Sequence, residues 1–404
     1  MIQNSACNGK RHFGYNKIRL NNFCEIKANL LFHLLQILCL IPVYCRPMQK
    51  MSKYYLPLAV FLFVTFILSM MELKMETSML MINRFIPGAG WIQIALLASY
   101  GAFLVYKMQD ADKSAVWRKW SWLLFSLVFF TQFALGILAD ERFLMTDKLH
   151  LPVPFMIAAG PVYRAQMTIM PILLLSSILI SGPAWCSHYC YFGAWDGLMA
   201  SSKAKKSSGK LRLNDRNKEK EKEKEKEGIR SEGELHRGEP VRQKWAWKMT
   251  FFVLIILFAW VFRMFNLKGL QTLIPALVLA GFSIGIMIFI SRKRQKMVHC
   301  VAFCPIGTLV NIGKYISPFR MKIESSCTSC MRCIPTCPYD ALNVKDIKAG
   351  KPGITCTLCG DCVSSCYVSA IQYRFFRMSP KAARNLYLVV TISVHVLCMG
   401  LARL

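Results

Sequence analysis

Cys327, Cys330, Cys333 and Cys337, with Pro338 next, spell C-x2-C-x2-C-x3-C-P, and Cys356, Cys359, Cys362 and Cys366 repeat the spacing. Eight cysteines at these intervals match the ligand demand of two 4Fe–4S clusters, because each iron takes one thiolate. A zinc site would pair one C-x2-C with a distant second pair instead of setting three cysteines three residues apart. A disulfide framework fits less well, since the pattern repeats and lies among apolar spans with basic flanks. The chemistry implied is electron transfer. In runs of this type the fourth cysteine serves the other cluster. One ligand set is then Cys327, Cys330, Cys333 and Cys366, and the other is Cys356, Cys359, Cys362 and Cys337.

Four more cysteines form two C-x3-C pairs. Cys186 and Cys190 lie in Trp-Cys-Ser-His-Tyr-Cys-Tyr-Phe-Gly (185–193), and Cys300 and Cys304 in His-Cys-Val-Ala-Phe-Cys-Pro-Ile-Gly (299–307). Each pair follows an apolar span, and two spans separate them, so both belong at the same membrane face. On an α-helix i and i+4 share a face, so each pair is expected to present its two sulfurs together. The four thiols are candidates for a further metal centre or for redox-active disulfides. Two buried, unlinked thiol pairs are the plainer alternative. His188 and His299 adjoin these cysteines and are candidate ligands or proton carriers near neutral pH, against an ordinary role in bonding the backbone.

The elements that position these residues are membrane helices. Of 404 residues, 54% are hydrophobic, and the mean hydropathy is +0.35. Long apolar runs read as transmembrane helices, and six are placed near 55–71, 89–106, 120–139, 165–183, 245–262 and 270–290. All tryptophans flank or end them, as amphipathic rings do at headgroup depth. Residues 386–403 are apolar enough for a seventh helix, and 151–162, with three prolines, suit a re-entrant or interfacial segment.

Lys107, Lys113, Arg118 and Lys119 in one loop, and Arg292, Lys293, Arg294 and Lys296 in another, outweigh the bases of the opposite loops. The positive-inside rule then assigns 51–54, 107–119, 184–244 and 291 to about 384 to the cytoplasm. Seventeen cysteines, twelve of them in short-spaced motifs, agree with a reducing compartment. The formal net charge of +29 accompanies no nucleic-acid-binding motif and is read as a membrane-surface property, so nucleic acid is not an expected partner.

The domain reading follows. Residues 1–50 are an ambiguous N-terminal segment (interfacial, a cleaved signal or a misplaced start), and 51–200 hold four membrane helices ending in the first C-x3-C. Residues 201–244 are a charged low-complexity loop in which Lys218 to Glu227 alternate lysine and glutamate. Residues 245–312 hold two more helices and the second C-x3-C, 313–384 a ferredoxin-like domain, and 385–404 a C-terminal apolar helix.

Two C-x3-C motifs after membrane spans, the second closed by Pro305, followed by a double cysteine run, resemble the NapH/NosR-type membrane polyferredoxins over roughly 55–375. That resemblance implies electron delivery between a quinol pool and partner redox proteins, or support for maturation of a partner enzyme. Tyr191 and Tyr367 stand where the family places proline. Proline there only stiffens a turn, so ligation is expected to survive. A flavin-attachment Ser-Gly-Ala-Thr is absent, and the extracytoplasmic loops are too short for a flavin domain.

Without C-x-x-C-H, covalent haem is excluded; His33 and His395 lie in apolar segments but suit core roles better than haem ligation. The spans show no buried ion pair, which argues against a transporter. The expected fold is an α-helical integral membrane bundle of six or seven helices bearing a small α+β two-cluster ferredoxin-like cytoplasmic domain. Its expected place is the cell (inner) membrane. The expected function is a relay between quinone or quinol and a soluble or membrane redox partner, more an electron-transfer subunit than a stand-alone enzyme. The alternative is an accessory or maturation factor for a metalloenzyme. The basic 314–384 region, with Arg320, Lys322 and Arg332 among its cations, suits an acidic electron carrier or anionic headgroups equally.

Overall fold

A computed structural model describes residues 52–74, 80–144, 153–167, 169–201 and 241–400. The expectations for 1–50 and for the charged loop at 202–240 lie outside the described residues. Seven described helices are long and apolar enough to cross a membrane: Lys53–Lys74, Gly90–Met108, Ala111–Leu138, Pro171–Tyr189, Trp245–Met264, Leu270–Arg294 and Pro380–Gly400. The chain is therefore a multi-pass membrane protein, and the seventh of these helices is the last described element.

In chain order the main elements are α1 (Ser52–Lys74), α2 (Gly90–Met108), α3 (Ala111–Leu138), α4 (Pro154–Arg164), α5 (Ile169–Ser181) and α6 (Tyr191–Ser201). They continue with α7 (Val241–Met264), α8 (Leu270–Gly285), α9 (Pro305–Gly313), strand β1 (Phe319–Ile323), strand β2 (Ile371–Phe375) and α10 (Pro380–Gly400). Asp110 starts α3 by accepting the Asp112 N–H at 3.1 Å, an ordinary N-cap. α5 stops where Gly182 takes φ +67° and Pro183 lacks an N–H to continue the ladder. A 3-10 turn and then a π turn, Trp185–Tyr189, carry the chain on to the first C-x3-C.

The lipid-facing side is legible from exposure. Val253, Leu257, Phe258 and Trp260 on α7, and Ile274, Leu277, Val278 and Phe282 on α8, are all exposed. Such a belt is at home in hydrocarbon, where helices satisfy their own backbone groups. Opposite faces pack inward: Val60, Val64 and Leu68 of α1 repeat every fourth residue and meet Ile94, Ala98 and Val105 of α2 and Leu388, Ile392 and Val396 of α10.

The cysteine-rich segment lies between two antiparallel strands. β1 and β2 pair in the register Phe319↔Phe375, Met321↔Tyr373 and Ile323↔Ile371. Phe319, Met321, Ile323, Ile371 and Tyr373 are buried, the period-two pattern of a strand with one covered face. That face belongs to the same core as the bundle: Phe319, Leu358 and Tyr373 share a cluster with Trp122, Leu174, Ile178, Trp185 and Tyr387. The segment is thus packed onto the helices through shared apolar side chains.

Candidate iron–sulfur centres

Each cysteine run is built from turns with an unusual backbone. Ser329 and Met331 in the first run have φ of 53° and 58°; Leu358 and Gly360 in the second have 57° and 82°. Asp340 and Ser369, three residues after the fourth cysteines, have 49° and 52°. These pairs sit at corresponding places of the two runs, so the local conformation repeats with the motif. Left-handed backbone costs non-glycine residues free energy and persists where it serves a purpose. Alternating right- and left-handed residues turn successive N–H groups into one concavity, a nest that suits an anionic cluster. Gly360 meets this need without strain, and a Cβ there would also lie 2.8 Å from the Tyr373 hydroxyl.

Sulfur contacts repeat as well. The Ala341 N–H donates to Cys337 Sγ and the Ala370 N–H to Cys366 Sγ, both at 3.3 Å. Such bonds favour charged sulfur. Cys337, Cys356, Cys359 and Cys362 line one cavity with Met321, Tyr339, Ala341, Leu342 and Pro352. Burial pushes the Cys337 thiol up to about 12 and Cys362 well above its usual range, with the neighbouring cysteines adding to the rise in Cys362. Free thiols there stay protonated, so a cation must displace those protons on binding. Cys333 is pushed up by burial first, then by Cys327, Cys330 and Cys366. Each neighbourhood gathers the cysteines that the spacing puts together. They differ in surroundings: Cys337, Cys356 and Cys362 are buried, whereas Cys330 is exposed.

The residues fit an anionic thiolate-bound group, with backbone N–H groups on Cys337 and Cys366 and four cysteines lining one cavity. Among the described residues no three His, Cys, Asp or Glu side chains converge as ligands of one metal ion. Thiolates that bind different irons of one cluster are held further apart than ligands of one ion. None of the thirteen described cysteines is in a disulfide.

The C-x3-C pairs also repeat structurally, though not as regular α-helix. Cys186 lies in the π turn Trp185–Tyr189 and Cys300 in the π turn His299–Phe303. The second cysteine of each pair is extended, and its N–H closes the turn five residues back, Cys190 to Trp185 and Cys304 to His299, both at 2.9 Å. The expected i, i+4 helical face is thereby corrected: a wider turn holds each pair. Cys190 and Cys304 then open α6 and α9, where helix N–H groups are free to meet a sulfur; the Gly193 N–H reaches Cys190 Sγ at 3.3 Å.

All four of these cysteines share one electrostatic neighbourhood. Burial pushes Cys300 well up, and Asp196, Cys304, Cys190 and Cys186 add to the rise. Burial also lifts Cys190 to about 12, and Cys304 rises despite helix N–H groups and the Lys248 ammonium. Around them, Asp196 accepts the Cys300 N–H at 3.0 Å and is lifted by burial to about 6. Buried Lys248 donates to the Cys300 carbonyl at 3.2 Å. His299 is buried with neither ring nitrogen bonded, and burial lowers it to about 3, so it stays neutral.

The first C-x3-C loop is held from outside. Its carbonyls accept from Tyr339 Oη (Cys186, 2.6 Å), Arg118 (Ser187, 3.0 Å), His395 Nδ1 (His188, 2.9 Å) and Trp122 Nε1 (Cys190, 2.8 Å). The π turn interrupts the regular helical ladder, and α3, α10 and the cysteine-rich segment between them supply the four donors. His395 lies 3.4 Å from Tyr100 Oη through its other nitrogen, consistent with a core role. His188 bonds Ser187 Oγ at 2.9 Å.

Sequence reasoning missed Arg118. It belongs to α3, is buried, and pairs at 2.8 Å with buried Asp361 of the cysteine-rich segment, which lies in no span. As the last cation but one of a basic loop it looked like a surface residue, and its partner is more than two hundred residues away. The pair also sets the cysteine runs at the end of the bundle where α3 begins.

A 4Fe–4S binding domain family matches residues 166–213 and 272–324, which include both C-x3-C pairs. A second 4Fe–4S binding domain family matches 321–343, which includes the first cysteine run. The chain carries 4Fe–4S binding domains. It is 28% identical over 138 residues to "Putative electron transport protein YccM" of Escherichia coli, covering 34% of this chain and 35% of that one. It is 29% identical over 86 residues to "Uncharacterized protein MJ0749" of Methanocaldococcus jannaschii, covering 21% of this chain and 33% of that one. The matched stretch thus spans about a third of each relative. No solved structure matches the chain.

Proposed function

We propose that this chain is a membrane electron-transfer protein that relays electrons between quinone or quinol and a partner redox protein through two 4Fe–4S clusters on the cytoplasmic side. Cys327, Cys330, Cys333 and Cys366 would hold one cluster and Cys337, Cys356, Cys359 and Cys362 the other. The observation that carries the reading is the second set: four cysteines from two sequence runs line one apolar cavity, and left-handed residues recur at matching places of both runs. When bound, clusters of this type supply one-electron carriers. The protein's own share is to bind and to insulate. Met321, Leu342 and Tyr339 keep water from the buried set, and the N–H groups of Ala341 and Ala370 stabilise charged sulfur.

The similarity to a protein named for electron transport supports the same reading, as does the resemblance to the NapH/NosR-type polyferredoxins. Cys186, Cys190, Cys300 and Cys304 would form a further redox or metal centre between bundle and clusters, with Lys248 compensating its negative charge.

The test is anaerobic exchange with a reduced quinol analogue on the detergent-purified protein, followed by absorbance and EPR. Cluster signals that respond to quinol or quinone support the relay. Clusters that exchange with a soluble protein donor but not with quinone overturn the quinone half of the proposal and favour an accessory role.

A further inference from the structure

Arg118 touches both cysteine-rich sites at once. Its Nη2 pairs with Asp361 Oδ1 at 2.8 Å, and its Nη1 donates to the Ser187 carbonyl at 3.0 Å. Asp361 lies between Cys359 and Cys362; Ser187 lies between Cys186 and Cys190. The guanidinium also stands 5.5 Å from the centroid of Trp122, whose indole bonds the Cys190 carbonyl. Two further bonds hold the first C-x3-C loop to the cysteine runs: Tyr339 Oη, just after Cys337, to the Cys186 carbonyl and Ser187 Oγ to the Thr357 carbonyl, at 2.6 and 3.1 Å.

The cation and its carboxylate are nearly free of water, 1% and 4% exposed, so their fields are little screened. Lys119 Nζ lies 3.0 Å from the other Asp361 oxygen and is half exposed. A carboxylate beside a thiolate set works against any added negative charge. Arg118 cancels that effect where it is strongest, and a planar two-sided fork is what bridging a carboxylate and a carbonyl requires. The first set lacks this environment, for Cys330 and Arg332 are exposed to solvent that screens their charges.

We propose that Arg118 is a positioning residue that clamps the Cys186–Cys190 loop to the Cys359–Cys362 loop and selectively raises the reduction potential of the group held by Cys337, Cys356, Cys359 and Cys362. This rests on the cluster reading above. Reduction adds one electron to that group and breaks no bond, so the reduced form gains most from a fixed cation nearby.

The test is a potentiometric titration of the whole detergent-solubilised chain, with dithionite as electron donor and redox mediators, read by EPR. The two signals are assigned with Cys330→Ala, which removes a ligand of the exposed set alone. Arg118→Gln is expected to lower the potential of the buried set and leave the exposed set unchanged. Arg118→Lys should recover part of the difference, and Arg332→Gln should leave the buried set alone. Should Arg118→Gln fail to fold, Lys119→Gln decides, with a smaller fall of the same potential expected. An unchanged buried-set potential at full iron content, or equal shifts in both signals, overturns the proposal. Absence of any cluster signal from the unaltered protein refutes the function proposed above instead, and so separates the two failures.

Discussion

Replacing Tyr339 by phenylalanine removes one oxygen from the contact between the cysteine-rich segment and the first C-x3-C loop. The hydroxyl is buried, 2% exposed at the residue level, and donates to the Cys186 carbonyl at 2.6 Å. The ring stays, so packing beside Cys337, Cys356 and Leu342 is kept. The cost is that of a buried carbonyl losing its donor, about 1–3 kcal/mol. Tyr367→Phe is the control, because its hydroxyl meets Thr328 at 2.8 Å on an exposed surface. Denaturant unfolding of the anaerobic, detergent-solubilised protein measures both. Tyr339→Phe should be the less stable by a clear margin, with Tyr367→Phe near the parent. Equal stability of the two variants would refute the claim that this bond fastens the segment to the loop.

Gly360→Ala should destabilise by about 1–2 kcal/mol for the left-handed backbone alone, with added strain against Tyr373 Oη at 2.8 Å, and unfolding of the double variant with Tyr373→Phe should recover that added part. Cys356→Ser should lower iron content by about four atoms per chain while Cys398→Ser leaves it unchanged, as iron analysis reads directly. Lys314 is lowered from its ordinary 10.5, chiefly by burial. Between the lowered value and 10.5 the unfolded chain binds a proton that the folded chain has released, so stability rises with pH in that window, and below it the penalty is fully present. Thermal unfolding across alkaline pH should show this rise in the parent and a flatter profile in Lys314→Gln.

The cysteine spacing grouped Cys337 with Cys356, Cys359 and Cys362, and the structure brings those four to one cavity. The apolar runs were enough to find the helices, since bilayer thickness fixes their length. The fourth span was placed a few residues early: hydropathy does not see that Gly182 and Pro183 end the α-helix and that a π turn continues it. The nests were hidden for a similar reason. Only Gly360 advertises a left-handed position, whereas Ser329, Met331 and Leu358 are residues that rarely adopt one. The Arg118–Asp361 pair was illegible because long-range ion pairs leave no local pattern. The convergence of both C-x3-C pairs with Asp196 and Lys248 needed topology as well as motif, and only the cysteines announced it.

The central claim is tested most directly by iron and acid-labile sulfide analysis of anaerobically purified protein, joined to EPR of the dithionite-reduced form. The account predicts at least about eight irons per chain with matching sulfide and 4Fe–4S signals. Stoichiometric zinc in place of iron, or iron without acid-labile sulfide, would contradict it.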